Sequence, residues 1–220
     1  MTDIQPVGAD LSEAEAADAK ELIRREALTV ALVADQLGAS LGGLANLIGQ
    51  LTGKVITSGL GTSGTVARRL AHLLTVTGTP AFFLSPSDGL HGSSAVGVPG
   101  DMLIAISKAG ESDELIEMAG IMKSRGVKIV AMCASDDNPL ARAADFVAVV
   151  EAGASDPGGI VAMGITLAQG AYGDALALLL MGRKGYRWSQ VVQSHPGGGV
   201  GKHGEDLVRA AEGGQPAPSS

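Results

Sequence analysis

Apolar positions along this chain change their period twice. Leu22, Ile23, Leu28, Val30, Leu32, Val33 and Leu37 recur at roughly helical spacing behind Ser12-Glu13-Ala14-Glu15, which reads as an N-cap followed by an acidic first turn. A second helix is predicted over Ser40–Leu51. From there the pattern becomes one of short unbroken apolar runs: Lys54–Ser58, Ala81–Leu84, Met102–Ile106, Lys128–Cys133 and Phe146–Val150. Segments with helical spacing lie between them at Ser63–Thr77, Ser112–Arg125 and Pro139–Ala144. A strand that is apolar at every position must be covered on both faces, so this alternation predicts an α/β fold with a parallel sheet between helices. A long helix over Gly159–Arg183, ended by Lys184-Gly185, and a short helix from Ser189 complete the pattern. The apolar faces of the N-terminal helical pair are wide, which predicts that part of them packs on another subunit.

Composition narrows the partners. A chain of 220 residues fits one α/β domain, with 11–210 as the folded unit, 1–10 as a flexible start and 211–220 as a disordered tail. Hydrophobic residues make up 45% but aromatics only 3%, so the core must come from Val, Leu, Ile, Ala and Met. The net charge of −7 argues against a nucleic-acid partner. It does not exclude a phosphate, because helix N-termini make local positive sites on an acidic protein. The single cysteine, Cys133, directly follows an apolar run and reads as a core residue in a reducing, cytoplasmic setting. Met1–Asp10 carries two acids and neither Lys nor Arg, unlike a targeting leader. The nearest approach to a membrane span, Ile160–Met181, is interrupted by Gln169, Tyr172 and Asp174, so no membrane partner is expected.

Three motifs carry the candidate chemistry. Gly59-Leu60-Gly61-Thr62-Ser63-Gly64 follows the first apolar run and opens a helical segment. Ser107-Lys108-Ala109-Gly110-Glu111-Ser112 does the same after the third. Such turns bring free backbone N–H groups and small hydroxyls to one spot suited to phosphate, at the strand ends where ligands bind in parallel sheets. The first turn is not a Walker A loop. Gly59, Gly61 and Gly64 also fit a dinucleotide fingerprint, but the acid expected at the end of the second strand is replaced by Leu84-Ser85-Pro86-Ser87, with Asp88 late. In the second turn, Ser112 taken alone would serve equally as a plain N-cap and Glu111 as a solvated acid. The third motif, Ser194-His195-Pro196-Gly197-Gly198, surrounds an imidazole with irregular backbone and offers a proton carrier near neutral pH. His91 lies in a Gly-Leu-His-Gly turn, His72 within a helical segment, and His203 beside Lys202.

Read together and in this order, these motifs resemble those of the sugar-isomerase (SIS) domain family, nearest to its arabinose-5-phosphate isomerase branch. Gly78-Thr79-Pro80-Ala81-Phe82-Phe83, His91-Gly92, Ala141-Arg142-Ala143-Ala144-Asp145 and Gly173-Asp174-Ala175-Leu176-Ala177 extend the resemblance over roughly residues 20–205. It implies a three-layer sandwich with a five-stranded parallel sheet, a homotetramer with sites between subunits, and interconversion of aldose and ketose phosphates without cofactor or metal. It implies phosphate binding by Ser63, Ser107 and Ser112, within a substrate site that takes in Gly61, Thr62, Gly64, Lys108, Ala109 and Gly110. His91 would lie near the sugar, and Glu111 and His195 would be catalytic. A further family acid matches Glu151 or Asp156, and either Glu111 or Glu151 is the candidate base for an enediol mechanism. The chain also departs from the branch. Thr62 stands where the branch has a lysine, Lys108-Ala109 replaces Asn-Ser, and Gly159-Ile160-Val161-Ala162-Met163-Gly164 replaces a Ser/Thr-rich stretch. The C-terminal CBS domains of many relatives are not part of this sequence. The altered turns favour a different sugar phosphate or a non-catalytic phosphosugar-binding protein; retention of Glu111 and His195 favours an isomerase.

Overall fold

The computed structural model describes residues 11–212, so the start at 1–10, expected to be flexible, and most of the expected tail, 213–220, lie outside the described residues. The first helix, α1 (Glu13–Gln36), begins as its sequence requires: Ser12 Oγ accepts from Glu15 N at 3.3 Å, and Glu15 Oε2 accepts from Ser12 N at 2.9 Å. Gly38 takes φ +27°, and α2 (Gly38–Gly49) leaves at 70° to α1. The alternating region follows as β1 (Val55–Ser58), α3 (Gly61–Val76), β2 (Ala81–Phe83), α4 (Pro86–Leu90), a 3-10 turn at Ser93–Val96, β3 (Met102–Ile106), α5 (Asp113–Ser124), β4 (Lys128–Cys133), α6 (Pro139–Ala143) and β5 (Phe146–Val149). A 3-10 turn at Pro157–Gly159 precedes α7 (Gly164–Arg183), and α8 (Trp188–Gln193), α9 (Gly198–Lys202) and α10 (Gly204–Glu212) close the chain.

The five strands form one fully parallel sheet in the order β2-β1-β3-β4-β5. Successive side chains alternate between its faces, and both faces are apolar. Val55, Met102, Ile104, Val130 and Met132 meet α2, α3 and α7 on one side. Ile56, Leu103, Ile129, Ala131 and Cys133 meet Leu115, Met118 and Met122 of α5 on the other. This is the expected three-layer sandwich, with Met and Leu filling space that aromatics fill elsewhere. Tyr172 is fully buried in α7, its hydroxyl 3.0 Å from Ser40 Oγ. Among the described residues α7 alone is long and apolar enough by itself to cross a bilayer, and it is a core helix here. The outer helix α1 rests on α7 and buries Thr29 and Val33, while Ile23, Leu28 and Leu32 remain more than half exposed.

Three boundaries differ from the sequence reading. The long helix begins at Gly164 rather than Gly159, because Gly158 and Gly159 take φ +63° and +70°, which an α-helix does not admit. The helix after β1 begins at Gly61, so Gly61, Thr62 and Ser63 are themselves its first turn. At the C-terminus α10 includes Ala211 and Glu212, which were expected in the tail. The helices α8–α10 pack chiefly on one another, with Val192 against Gly204, and Tyr186 on the approach to them packs on Gly78 of the main body.

Candidate functional site

The strand order creates the site. From β1 the chain moves outward to β2, then returns past β1 to form β3 on its other side, so connections diverge between β1 and β3. At such a switch point the loops leaving two adjacent strands splay apart and open a crevice at the carboxyl ends. The first glycine turn leaves β1 and the second leaves β3. They also touch: a Cβ on Gly59 would lie 2.9 Å from the carbonyl oxygen of Ile106 and from the Ser63 backbone, so only glycine admits this approach. Gly64 is equally confined, its Cβ position being 2.7 Å from the Gly59 oxygen. Leu60 occupies the N-cap of α3 and no side chain caps that helix, which leaves its first N–H groups facing the crevice end of the sheet.

The second turn is held rigidly. Ser107 N donates to Met132 O at 3.1 Å, Ser107 Oγ accepts from Gly110 N at 3.1 Å, and Gly110 O accepts from Leu140 N at 3.0 Å. Gly110 has φ +68°, and a side chain there would overlap the Asn138 amide. Ser112 stands at the N-cap of α5 but makes no side-chain cap bond, so the plain capping role is not the one it plays. Ser63 is buried and Ser112 half-buried.

The carboxylates divide by environment. Glu111 is exposed at the end of the second turn. Glu151 is exposed just beyond β5, and its backbone is gripped from α1: Glu151 N donates to Gln36 Oε1 at 2.9 Å and Gln36 Nε2 donates to Glu151 O at 3.2 Å. Thr29 of α1 secures the same loop through Ala152 O and Ser155 Oγ, at 2.9 and 2.7 Å. Asp156 is engaged throughout. Its Oδ1 accepts from Met163 N and Ile165 N at 3.0 and 3.1 Å, and its Oδ2 meets Lys108 Nζ at 2.7 Å. Burial alone would raise its pKa, but the bonds from Lys108, Ile165 and Met163 outweigh that and hold it below the ordinary carboxylate value. Of the two acids that could match the further family position, Glu151 therefore carries the uncommitted carboxylate. Ala109 is exposed beside Lys108, and a cleft of about 440 Å³ opens between Lys108, Ala134, Gly153, Asp156 and Ile165.

Neither His91 nor His195 is hydrogen-bonded to the turns among the described residues. His91 is exposed at the end of α4, before Gly92 at φ +107°. His195 is half-buried, with Nδ1 2.7 Å from Val191 O and 3.1 Å from Ser194 Oγ. Donation from Nδ1 to the Val191 carbonyl leaves Nε2 as the acceptor. His195 belongs to the arm formed by α8–α10, and no hydrogen bond joins it to either turn among the described residues. His72 and His203 are exposed. Burial pushes the Cys133 thiol up to about 11, as expected for a core residue. The sequence reading missed Gln169, which had registered only as a break in an apolar run. Its Nε2 donates to the same Met132 carbonyl that receives Ser107 N, beneath the second turn, and its Oε1 is buried without a hydrogen-bond partner among the described residues.

Residues 52–179 match the SIS domain family. Over 151 residues the chain is 36% identical to an arabinose 5-phosphate isomerase, KdsD, of Shigella flexneri, a match covering 68% of this chain and 46% of that protein. Over 158 residues it is 35% identical to an arabinose 5-phosphate isomerase, KpsF, of Escherichia coli, covering 71% and 50%. The chain thus spans about half the length of the curated relatives it matches. Among solved structures, a Listeria monocytogenes protein assigned as a sugar-phosphate isomerase superposes with a TM-score of 0.79 at 30% identity, covering 86% of this chain and 100% of that one. An Escherichia coli CFT073 protein solved in complex with arabinose 5-phosphate superposes at 0.78 with 26% identity, covering 84% and 100%.

Proposed function

This chain belongs to the SIS domain family, and from that premise we propose that it is a sugar-phosphate aldose–ketose isomerase. The observation that carries the reading is the meeting of two glycine-serine turns at the β1/β3 switch point, in a protein similar to one solved with arabinose 5-phosphate bound. The phosphate is held by the free first-turn N–H groups of α3, from Gly61 to Ser63, and by the hydroxyls of Thr62, Ser63, Ser107 and Ser112, while Gly64 N donates to Leu60 O at 3.0 Å and closes the turn. Glu111 or Glu151 removes the proton from the carbon beside the aldose carbonyl, giving an enediol. The same base returns that proton to the former carbonyl carbon, while a hydroxyl proton passes between the two oxygens. His195 through Nε2, with His91, is suited to that second transfer. Arabinose 5-phosphate and ribulose 5-phosphate are the leading pair, and a related catabolic sugar phosphate is the alternative that Thr62, Lys108 and Ala109 favour.

The exposed Ile23, Leu28 and Leu32 of α1 suit burial between subunits. A homotetramer would bring His195 of one copy to the turns of another, and a cytoplasmic location suits the single thiol. The test is direct: incubate the protein with four- to seven-carbon aldose and ketose phosphates and follow interconversion. Turnover of one pair, lost in Glu111→Gln while ligand binding persists, supports the reading. A second reading, a non-catalytic phosphosugar-binding protein, rests on Thr62 standing where the branch has lysine. Thermal stabilisation by sugar phosphates with no turnover would establish it and overturn the first.

A further inference from the structure

Lys108 sits in the middle of the second turn, yet its ammonium points away from a phosphate role. It lies 2.7 Å from Asp156 Oδ2 and donates to Gly159 O at 2.7 Å. The Asp156 side chain is only 6% exposed, and its other oxygen caps the entry to α7 through Met163 N and Ile165 N. The left-handed Gly158 and Gly159 turn the chain so that the Gly159 carbonyl reaches the same ammonium. An ammonium already paired with a buried carboxylate has little net attraction left for a second anion.

We propose that Lys108 is a positioning residue. Through Asp156 and Gly159 it ties the 156–163 segment to the second turn, and so sets the separation between the segments that carry Glu111 and Glu151. The rest of the scaffold makes this bridge consequential. On its far flank the second turn is fixed by Ala134 N donating to Lys108 O at 3.0 Å and by Leu140 N donating to Gly110 O. The loop after β5 is fixed on its outer side by Gln36 and Thr29 of α1. Lys108 is the side chain that joins these two supported pieces across the cleft. A site that transfers protons is sensitive to a displacement of about 1 Å, whereas the phosphate donors of both turns keep their places without the Lys108 ammonium, the second turn being held by its own bonds to Met132, Ala134 and Leu140. The kinetic consequence rests on the isomerase reading; the tether itself does not.

The experiment compares Lys108→Met, Lys108→Arg and the double variant Lys108→Met/Asp156→Asn, the last removing both charges so that no unpaired carboxylate stays buried. Hydrogen exchange at the Met163 and Ile165 amides should quicken at least tenfold in Lys108→Met and in the double variant, and return toward wild type in Lys108→Arg. In turnover of the active sugar phosphate, kcat should fall about tenfold or more in both, with inhibition by inorganic phosphate unchanged, and Lys108→Arg should recover most of it. Unchanged amide exchange overturns the tether. Inhibition by inorganic phosphate weakened tenfold with kcat retained overturns the positioning role and makes Lys108 a phosphate ligand. A wild-type protein that turns over no sugar phosphate defeats the isomerase reading, and the exchange measurement then decides the tether alone.

Discussion

Replacing Gly59 by alanine separates packing from backbone freedom at the centre of the site. Gly59 does not need a left-handed conformation; it needs space. Its added Cβ would lie 2.9 Å from the Ile106 oxygen and from two Ser63 backbone atoms, against about 3.4 Å for ordinary contact. All are backbone atoms, so no side chain can swing aside. The turns after β1 and β3 must part by about half an ångström. Overpacking of this kind costs about 1–3 kcal/mol. With an m-value of about 2 kcal/mol/M, the urea midpoint should fall by about 1 M. On the proposed reading both turns contribute phosphate donors, so Gly59→Ala should also raise KM for the sugar phosphate by about 10- to 100-fold. Gly61→Ala is the control. Gly61 has φ +52° but nothing within 4 Å of its Cβ position, so it loses only the backbone penalty of about 1 kcal/mol. Urea titration and steady-state kinetics on both variants decide the matter. A Gly59→Ala protein with wild-type KM would refute the claim that the close approach of the turns builds the phosphate site.

Glu111→Gln and Glu151→Gln should be assayed side by side: the variant of the proton-transferring acid loses about 10²–10⁴-fold in kcat while still binding inorganic phosphate, and the other keeps most of its activity. Asp101, almost fully buried, accepts from Lys54 N and Val98 N at 2.9 and 3.0 Å and pairs with Lys54 Nζ at 2.7 Å. Burial pushes its pKa up, but these bonds outweigh burial and hold it below the ordinary carboxylate value, as at Asp156. A depressed folded-state pKa contributes stability that is complete above the unfolded value and lost as pH falls through the folded one, so stability should hold to about pH 4 and decline below it. Asp101→Asn should cost about 1–2 kcal/mol in urea titration at pH 7, since the Lys54 ammonium left behind is partly solvated, and shallow that acid limb. Cys133, buried and raised to about 11, should react with a thiol reagent only as fast as the protein opens, and labelling in native buffer faster than unfolding would contradict its placement.

The layer architecture was legible because the strands are apolar at nearly every position, and a strand buried on both faces, as β1 and β3 are, has few places to go but the middle of a parallel sheet. Each run maps onto a strand within a residue or so. The capping box at Ser12 and Glu15 was equally local, since its hydrogen bonds close within one turn. The turns were legible as anion-binding shapes because glycine, serine and threonine have few other reasons to cluster at strand ends. Helix starts at Gly61 and Gly164 were misplaced, because the first depends on a cap that Leu60 does not supply by side chain and the second on left-handed glycines that spacing cannot reveal.

Strand order is where the sequence stopped. No local pattern states that β3 returns to the far side of β1, and it is that order which places the two turns side by side and makes them one crevice. The same holds for the pairing of Lys108 with Asp156, for the grip of Gln36 on Glu151 and for Gln169 beneath Ser107, each a contact between residues dozens of positions apart or more. Hydrophobic periodicity and turn chemistry are short-range properties, so the sequence by itself determined the elements and the kinds of group at their ends. Which ends meet, and which charges are already spent on one another, follows from burial of the whole core, and only the tertiary structure decided that.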